Sequence, residues 1–144
     1  MTVFRHDITI PEFTPELLDA WSVVPSAVAS DAQGRFQGMS GAISVLASGM
    51  RIVGRARTVE CMVGDNSALH AAIALCEPGI DVLVCDAQGF EDAALFGGLM
   101  TRACLEQNVA GLVIDGAVRD SAEIIDSGFP CFCRNESPRN SARC

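Results

Sequence analysis

The sequence predicts an α/β fold in which a mostly parallel central sheet carries flanking helices. Three short and uniformly apolar runs, DVLVCD, AGLVI and PCFC, are separated by segments with helix-like character. Strands that are apolar on both faces are typical of parallel sheets with both faces covered. The length of 144 residues suits one domain, which we take to span residues 1–144.

The first half of the chain is predicted to contain two helices, a loop and a strand. Residues 14–32 look helical, with Thr14 as a suitable N-cap and Pro25 dividing the run into two helices. Gly and Ser are frequent in residues 33–50, which indicates a loop with a short strand. Residues 51–63 (RIVGRARTVECMV) carry β-branched residues in rough alternation and are expected to form a strand.

The second half alternates between helices and strands. Helices are expected at residues 65–76, 99–108 and 119–126, and strands at residues 81–86, 110–114 and 130–133. The segment AQGFEDAALFGG, which follows the first of these strands, is expected to be a loop. The polar segment of residues 135–144 has no helix or strand pattern, so we predict a disordered tail there.

The charged residues argue against several classes of protein. A formal net charge of −8 and scattered arginines do not suit binding to nucleic acid, which depends on clustered cations. All ten basic residues are arginine, which excludes a Schiff-base lysine and a P-loop lysine. The only histidines are His6 and His70, which argues against a zinc site with two or three imidazoles and against a Ser-His-Asp hydrolase, unless His70 serves the hydrolase. We interpret His70, within an apolar helix, as a hydrogen-bonded core or interface residue.

The seven cysteines include no CxxC pair, and their number is odd. We interpret them as reduced core thiols of a cytosolic protein. The opening MTVFRHDITI has no apolar signal core, and no apolar run reaches the length of a membrane span. The sequence therefore predicts a cytoplasmic protein without a membrane partner.

Three corners follow predicted strands, where ligands of parallel α/β sheets gather. The first is Asp86 with the AQG loop, the second is the turn at residues 97–100, and the third is the segment of residues 115–120. In the second corner, two glycines permit close approach of the backbone to a ligand. The N–H groups at the start of the following helix would suit a carboxylate. The alternative is that the glycines only permit tight helix packing.

Arg119 and Asp120 are the strongest candidates for chemistry in the third corner. Arg119 offers a bidentate fork to a substrate carboxylate, and Asp120 offers an oxygen ligand to Mg²⁺ or Mn²⁺. Glu123 would lie on the same helical face as Asp120 and could act on that metal through a water molecule. The alternative is a solvated helix start, with Asp120 in the first turn and Arg119 as a surface cation.

Six segments resemble one protein family in their order and spacing. They are GRARTVEC, GDNSALHAAI, EPGIDVLVCDAQG, ALFGGLM, AGLVIDGAVRDSAEI and GFPCFCR. The family comprises the 4-hydroxy-4-methyl-2-oxoglutarate aldolases and the RraA-like proteins, named for a regulator of ribonuclease activity. The resemblance covers about residues 14–139, nearly the whole chain. Its most specific part is IDGAVRD, which follows a GG-L turn.

The resemblance implies a layered sandwich like the swivelling phosphohistidine domain, with the family's C-terminal strands missing after Cys144. It also implies a homo-oligomer, a trimer or hexamer, because sites in that family lie near subunit interfaces. A missing C-terminal part would remove a wall of the pocket and lower the activity.

The resemblance further implies roles for individual residues. In that family, a glycine or aspartate followed by twenty residues and then Arg-Asp marks the metal and substrate site. Here Gly98 and Arg119-Asp120 fit that spacing, although confirmed aldolases tend to carry Asp where this chain has Gly98. By resemblance, Asp120 ligates the divalent metal and Arg119 holds the pyruvoyl carboxylate, so these two are the implied catalytic residues. The implied substrate cradle consists of the backbone at Gly97, Gly98, Leu99 and Met100.

The function implied by the resemblance is a Mg²⁺- or Mn²⁺-dependent lyase that acts on a 2-oxo acid. It would cleave 4-hydroxy-4-methyl-2-oxoglutarate or decarboxylate oxaloacetate, giving pyruvate through an enolate. The alternative is a non-catalytic protein that modulates a ribonuclease through protein contacts. A methyltransferase finds little support, because no glycine-rich nucleotide loop with an acidic partner follows a first strand. An inactive, degraded relative is a further alternative. Retention of the Arg-Asp pair favours the enzyme, because a pure interaction module needs no metal ligand there.

Overall fold

The computed structural model describes residues 3–6, 8–9 and 12–141. The helices in this part of the chain are α1 (Pro15–Ser22), α2 (Ser26–Ala32), α3 (Ser67–Ile73), α4 (Gly98–Glu106) and α5 (Ser121–Asp126). The strands are β1 (Ser44–Val45), β2 (Arg55–Glu60), β3 (Asp81–Phe96), β4 (Gly111–Val118), β5 (Cys131–Cys133) and β6 (Asn135–Glu136).

These six strands form one sheet. Its order is β1-β5-β4-β3-β2, and β6 pairs with the end of β4. The pairs among β2 to β6 are parallel, whereas β1 runs antiparallel to β5. The predicted α/β fold with mostly parallel central strands and flanking helices is therefore confirmed.

Helices α3, α4 and α5 cover one face of the sheet. Alternate residues of the central strands point to this face, as the pleat requires. The buried cluster includes Leu83, Cys85, Leu112 and Ile114 of the strands and Leu69, Met100, Cys104 and Ile124 of the helices. The rings of Phe96 and Phe129 stack with their centroids 6.0 Å apart. The core therefore lies directly behind the carboxyl ends of β3 and β4.

The opposite face of the sheet is less covered in the described residues. Val84 and Val113 on this face are only half-buried, and Ala56 and Thr58 are exposed. Neither α1 nor α2 contains a buried residue. The expectation of a sheet covered on both faces is therefore not met within the described residues, because the N-terminal helices bury no side chain.

Strand β3 is much longer than predicted. It was expected to end at Asp86 and to be followed by a loop, but it continues to Phe96. Register shifts after Cys85 let β3 keep pairing with β4 as far as the Phe96–Val118 pair. Gln88 and Gly89 adopt positive φ angles of 58° and 67°. Irregular residues of this kind accommodate extra length in a strand, and their polar, glycine-containing sequence resembles that of a loop.

Other predicted elements differ in their bounds. The strand predicted for residues 51–63 is confined to Arg55–Glu60, and the strand expected at residues 110–114 continues to Val118. In the second half, α3 is shorter than predicted at both ends, α4 begins one residue earlier and ends two residues earlier than predicted, and α5 begins two residues later than predicted. The helix break at Pro25 and a short strand within residues 33–50 are confirmed.

The tail is ordered where the structure describes it. Strand β6 pairs with β4, and the N–H of Ser137 donates to the carbonyl of Val118 over 2.9 Å. Asn140 forms a bridge with Ala94 of β3. The predicted disorder is therefore wrong for residues 135–141, because backbone pairing holds a segment whose side chains are polar. Residues 142–144 lie outside the described residues.

The six cysteines within the described residues are buried, and none forms a disulfide. Burial raises the pKa of Cys76 to about 11 and that of Cys104 to about 12, so both remain protonated thiols near neutral pH. The prediction of reduced core thiols is confirmed for these six. Cys144 lies outside the described residues. None of the described helices has the length and apolar character needed to cross a membrane.

Candidate active site

The carboxyl ends of β3 and β4 lie side by side, which brings two of the predicted corners together. Phe96 pairs in register with Val118, and the N–H of Arg119 donates to the Phe96 carbonyl over 3.0 Å. Gly97, the first residue after β3, therefore lies beside Arg119, the first residue after β4. As a consequence, the turn at residues 97–100 and the Arg119-Asp120 pair are neighbours.

The Asp120 carboxylate lies at the N-terminus of α4. The N–H of Gly98 donates to Oδ2 of Asp120 over 3.1 Å, and Nε of Arg119 lies 3.4 Å from the same oxygen. The backbone of Asp120 is left-handed (φ 57°, ψ 37°), and α5 begins at the next residue. The Asp120 side chain is 42% exposed and that of Arg119 is 33% exposed. A negative charge is thus held by a helix N-terminus and a guanidinium, and both side chains remain accessible to a ligand.

Neighbouring groups fill the space that a side chain on Gly97 or Gly98 would occupy. At Gly98 the neighbouring group is the end of the flexible Glu123 side chain, which can move, so the requirement for glycine is stricter at Gly97. A Cβ on Gly97 would lie 2.8 Å from Cγ of Arg119 and 2.8 Å from Oδ2 of Asp120. A Cβ on Gly98 would overlap the carboxylate of Glu123. Gly97 is fully extended (φ −165°, ψ −167°), so close approach, not a left-handed conformation, explains the glycine.

Glu123 lies against Gly98 and is bound by Arg102 of α4. Nε and Nη2 of Arg102 donate to Oε1 of Glu123 over 3.0 Å and 2.6 Å. The two side chains are 68% and 44% exposed, so the ion pair contributes little to stability. This contact holds Glu123 near Asp120. The action of Glu123 on a metal through a water molecule stays a prediction.

Leu99 and Met100 differ in their surroundings. The Leu99 side chain is 67% exposed, whereas Met100 is 4% exposed and belongs to the core. Sδ of Met100 accepts a hydrogen bond of 3.6 Å from Nδ2 of Asn66. Met100 therefore anchors the first turn of α4, and Leu99 lies at the surface of the site.

A small pocket adjoins the Arg119-Asp120 pair. Its lining consists of Asn66, His70, Ala94, Leu95, Phe96, Gly97, Leu99, Met100, Arg119 and Asn140. The enclosed space is about 30 Å³, which is room for one or two water molecules. A ligand of the size of a 2-oxo acid must therefore extend into the open part of the site.

Three polar residues of this lining were not predicted from the sequence as site residues. Asn66 precedes α3, and His70 follows one helical turn later, so both lie on one face of that helix. Asn140 comes from the tail. His70 was interpreted as a core or interface residue; it is exposed in the described structure and lines the pocket, so it is not a core residue, and the interface alternative stays a prediction. The Asn66–His70 spacing is the sequence signal that could have linked these two residues.

The oxygen donors at this edge of the sheet suit a hard divalent cation held by few protein ligands. Asp120 offers one accessible carboxylate. Among the described residues, no group of three or more His, Cys, Asp or Glu side chains is arranged to hold a metal. Mg²⁺ is usually bound through one or two carboxylates, with water and substrate oxygens completing its coordination, whereas structural zinc takes four protein ligands. The donor set therefore fits Mg²⁺ or Mn²⁺ at Asp120 better than a zinc centre.

The first predicted corner is separate from this site. Asp86 and Asp115 line a depression of about 260 Å³ together with Met39 and Ser40, on the face of the sheet opposite the helices. Asp115 accepts a hydrogen bond of 2.5 Å from Nε of Arg134, and this bond raises the pKa of Arg134. Asp86 and Asp115 therefore do not join the Arg119-Asp120 pair.

Comparison with known proteins gives a consistent picture. The family model described as RraA-like, Aldolase/RraA, matches residues 14–143. A Halalkalibacterium halodurans protein that is provisionally named a 4-hydroxy-4-methyl-2-oxoglutarate aldolase is 34% identical over 119 residues, covering 83% of this chain and 56% of that protein. A Thermus thermophilus protein named 4-hydroxy-4-methyl-2-oxoglutarate aldolase is 33% identical over 93 residues, covering 65% of this chain and 56% of that protein.

The fold is also shared with solved structures. The RNA-processing inhibitor RraA from Thermus thermophilus superposes with a TM-score of 0.74 at 27% identity, covering 83% of this chain and 72% of that chain. The chain spans about half the length of the curated relatives it matches.

Proposed function

The chain belongs to the RraA-like family, and from this premise we propose that it is a metal-dependent lyase acting on 2-oxo acids. The proposed reactions are the retro-aldol cleavage of substrates such as 4-hydroxy-4-methyl-2-oxoglutarate and the decarboxylation of oxaloacetate. Both reactions release pyruvate through the same enolate, so one site can perform both.

The observation that carries this proposal is the meeting of Gly98, Arg119 and Asp120. The Gly98 N–H and the Arg119 guanidinium both approach Oδ2 of Asp120, at 3.1 Å and 3.4 Å. A carboxylate at this place can hold a divalent cation, while the guanidinium and the N-terminus of α4 can bind the carboxylate of a 2-oxo acid. We assign the substrate cradle to the backbone of residues 97–100 and the metal ligand to Asp120, with Glu123 near enough to act through water.

The composition supports a metal over a covalent mechanism. All ten basic residues are arginine, so the chain cannot form a Schiff base with a 2-oxo acid through lysine. A bound Mg²⁺ or Mn²⁺ would act as a Lewis acid on the 2-oxo group. Arg119 would hold and orient the adjacent carboxylate, and a fixed orientation keeps the breaking C–C bond aligned with the carbonyl.

The assembly of the active form is part of the proposal. The enclosed pocket holds only one or two waters, and Leu99 beside it is exposed. We propose that the active protein is a cytoplasmic homo-oligomer, a trimer or hexamer, in which further chain completes the site. The curated relatives are nearly twice as long as the matched region, so the activity of the whole protein is included in this proposal.

A second candidate function is modulation of a ribonuclease through protein contacts. It is favoured by the fold similarity to a protein described as an RNA-processing inhibitor. This function needs neither a metal at Asp120 nor turnover of a 2-oxo acid, so the same assay separates the two candidates.

The test is pyruvate release by the purified protein from oxaloacetate and from 4-hydroxy-4-methyl-2-oxoglutarate, with Mg²⁺ and with a chelator. We expect Mg²⁺-dependent turnover that Asp120→Ala lowers by at least about 100-fold, because Lewis-acid stabilisation is worth several kcal/mol. Asp126→Ala, which changes an exposed acid at the end of α5, is the matched control and should keep full activity. Folded protein without turnover above the metal-only rate would favour the ribonuclease candidate.

A further inference from the structure

The start of α3 is fixed over the active site by Asn66. Nδ2 of Asn66 donates to the carbonyl of Leu95 over 3.0 Å and to Sδ of Met100 over 3.6 Å. These two contacts connect α3 to the end of β3 and to the first turn of α4. Since Asn66 is 8% exposed, its amide is a buried connection and not a mobile surface group.

His70 is carried by this fixed helix. Its N–H donates to the Asn66 carbonyl over 3.0 Å, so His70 lies one turn after Asn66 on the same helix face. His70 and Arg119 line the same pocket, together with Gly97 and Leu99. Two strands and two helices therefore bring His70 and Arg119 to one small space.

The described polar side chains of the pocket differ in their ability to exchange protons. They are Asn66, His70, Arg119 and Asn140. Amides do not titrate, and a guanidinium keeps its protons in proteins. An imidazole ordinarily titrates between pH 5 and 8. Among these described side chains, His70 is thus the one that can both accept and donate a proton near neutral pH.

We propose that His70 is the proton-transfer group of this site, an inference that rests on the proposed lyase function. In cleavage of a 4-hydroxy-2-oxo acid, the neutral imidazole takes the proton of the 4-hydroxyl group. The C3–C4 bond breaks, its electron pair passes into the pyruvate enolate, and C4 becomes the carbonyl carbon of the second product. The imidazolium then returns its proton to C3, which completes the methyl group of pyruvate. The reaction is redox-neutral, and His70 ends as it began.

The two proposed substrates make different demands on this residue. An aldol substrate needs removal of the hydroxyl proton before the bond can break, whereas oxaloacetate has no such proton and loses CO₂ directly. Water can protonate the enolate that decarboxylation leaves. Loss of His70 should therefore lower the rate of aldol cleavage strongly and the rate of decarboxylation much less.

The need for a neutral base gives the direction of the pH dependence. Arg119, from the end of β4, is the charged side chain among the described pocket residues, and Asp120 lies beside it. The base must be neutral to accept the hydroxyl proton. The aldol rate should therefore rise with pH until the base is fully neutral, and this rise should be absent from decarboxylation.

The experiment compares His70→Gln with His6→Gln, which changes the chain's other histidine at an exposed position. With Mg²⁺ present, His70→Gln should lower kcat for aldol cleavage by about 100-fold and lower kcat for oxaloacetate decarboxylation by less than about threefold. His6→Gln should leave both unchanged. His70→Ala should recover part of its aldol activity when imidazole is added, which a purely structural role would not allow.

A binding measurement provides a readout that does not depend on turnover. Because the chain has two histidines, the imidazole ¹H–¹³C signals can be assigned by comparison with His70→Gln. Addition of oxalate, which resembles the pyruvate enolate, should shift the His70 signal and leave the His6 signal in place.

The outcomes distinguish this inference from the proposed function. Two results would overturn the role of His70 and leave the lyase proposal intact. One is a His70→Gln protein whose aldol activity and decarboxylase activity both equal those of wild type. The other is a His70 signal that does not shift when oxalate is added. Wild-type protein that converts neither substrate would overturn both. Selective loss of aldol cleavage, with imidazole rescue and a shifted His70 signal, would support both.

Discussion

Asp81 at the amino end of β3 should be one of the most important side chains for stability, although it lies at the opposite end of the strand from the candidate active site. Its side chain is 0% exposed and accepts hydrogen bonds from Nε of Arg55 (2.7 Å), from Nε and Nη2 of Arg57 (3.0 and 2.7 Å) and from the N–H of Glu77 (2.8 Å). Asp81→Asn keeps the shape but removes the charge and part of the acceptor capacity. The two guanidinium groups would then be left without their buried counter-ion.

The expected loss of stability follows from this geometry. Removal of one partner of a buried ion pair costs about 3–5 kcal/mol. Arg55 and Arg57 retain 13% and 24% exposure, so water can compensate in part and we expect about 3 kcal/mol. For a chain of 144 residues this lowers the thermal midpoint by roughly 10 °C. Below that temperature, Asp81→Asn should keep the proposed lyase activity, because the substitution is at the other end of β3.

The assay is thermal and urea unfolding followed by circular dichroism. The matched control is Asp31→Asn, which removes an exposed partner of Arg35 with side-chain exposures of 64% and 78% and should change stability by less than about 0.5 kcal/mol. A thermal midpoint of Asp81→Asn that lies within roughly 3 °C of wild type would refute the argument from buried charge, because a chain of this length would then have lost only about 1 kcal/mol.

Three further predictions concern pH, the glycine turn and the thiols. Burial alone would raise the pKa of Asp81, but hydrogen bonds from Arg55, Glu77 and Arg57 outweigh it and lower that pKa. Its stabilising contribution is therefore complete above about pH 4 and is lost as pH falls through the lowered pKa. When the free energy of unfolding is measured at decreasing pH, it should fall more steeply in wild type than in Asp81→Asn. Gly97→Ala should lower kcat/KM by at least about tenfold, because the new Cβ would lie 2.8 Å from Oδ2 of Asp120 and displace that carboxylate. An unchanged kcat/KM would contradict the proposed geometry. Iodoacetamide at pH 8 should leave Cys76 and Cys104 unlabelled in native protein and label both in urea, because burial raises their pKa to about 11 and about 12; rapid native labelling in peptide mass maps would argue against buried thiols.

The parts of the fold that could be predicted are those in which side-chain pattern and backbone structure agree. The apolar runs DVLVCD and AGLVI are central strands, with Leu83 and Ile114 in the core. The second half of β3 could not be predicted, because its irregular pairing depends on β4 and its sequence around Gly89 looks like a loop. The ordered tail could not be predicted for a similar reason. Ser137 is held by a hydrogen bond of its backbone N–H, and such a bond requires no pattern of apolar side chains in the sequence.

The candidate site divides in the same way. The approach of Gly98 to Asp120 could be anticipated because both follow parallel strands at the same edge of the sheet. The contribution of Asn66 and His70 depends on β2 being the neighbour of β3, and strand order is a tertiary property that the pattern does not contain. Glu123 was expected near Asp120, but its contact with Arg102 joins two helices and has no local signal.

The most direct test of the central claim is Mn²⁺ binding followed by electron paramagnetic resonance, with and without oxalate, in wild type and in Asp120→Ala. The proposed site predicts one Mn²⁺ per chain in wild type, bound more tightly when oxalate is present. It also predicts a loss of affinity of at least about tenfold in folded Asp120→Ala. Equal Mn²⁺ affinity in the two proteins, or no effect of oxalate in wild type, would contradict a metal and 2-oxo acid site at Asp120.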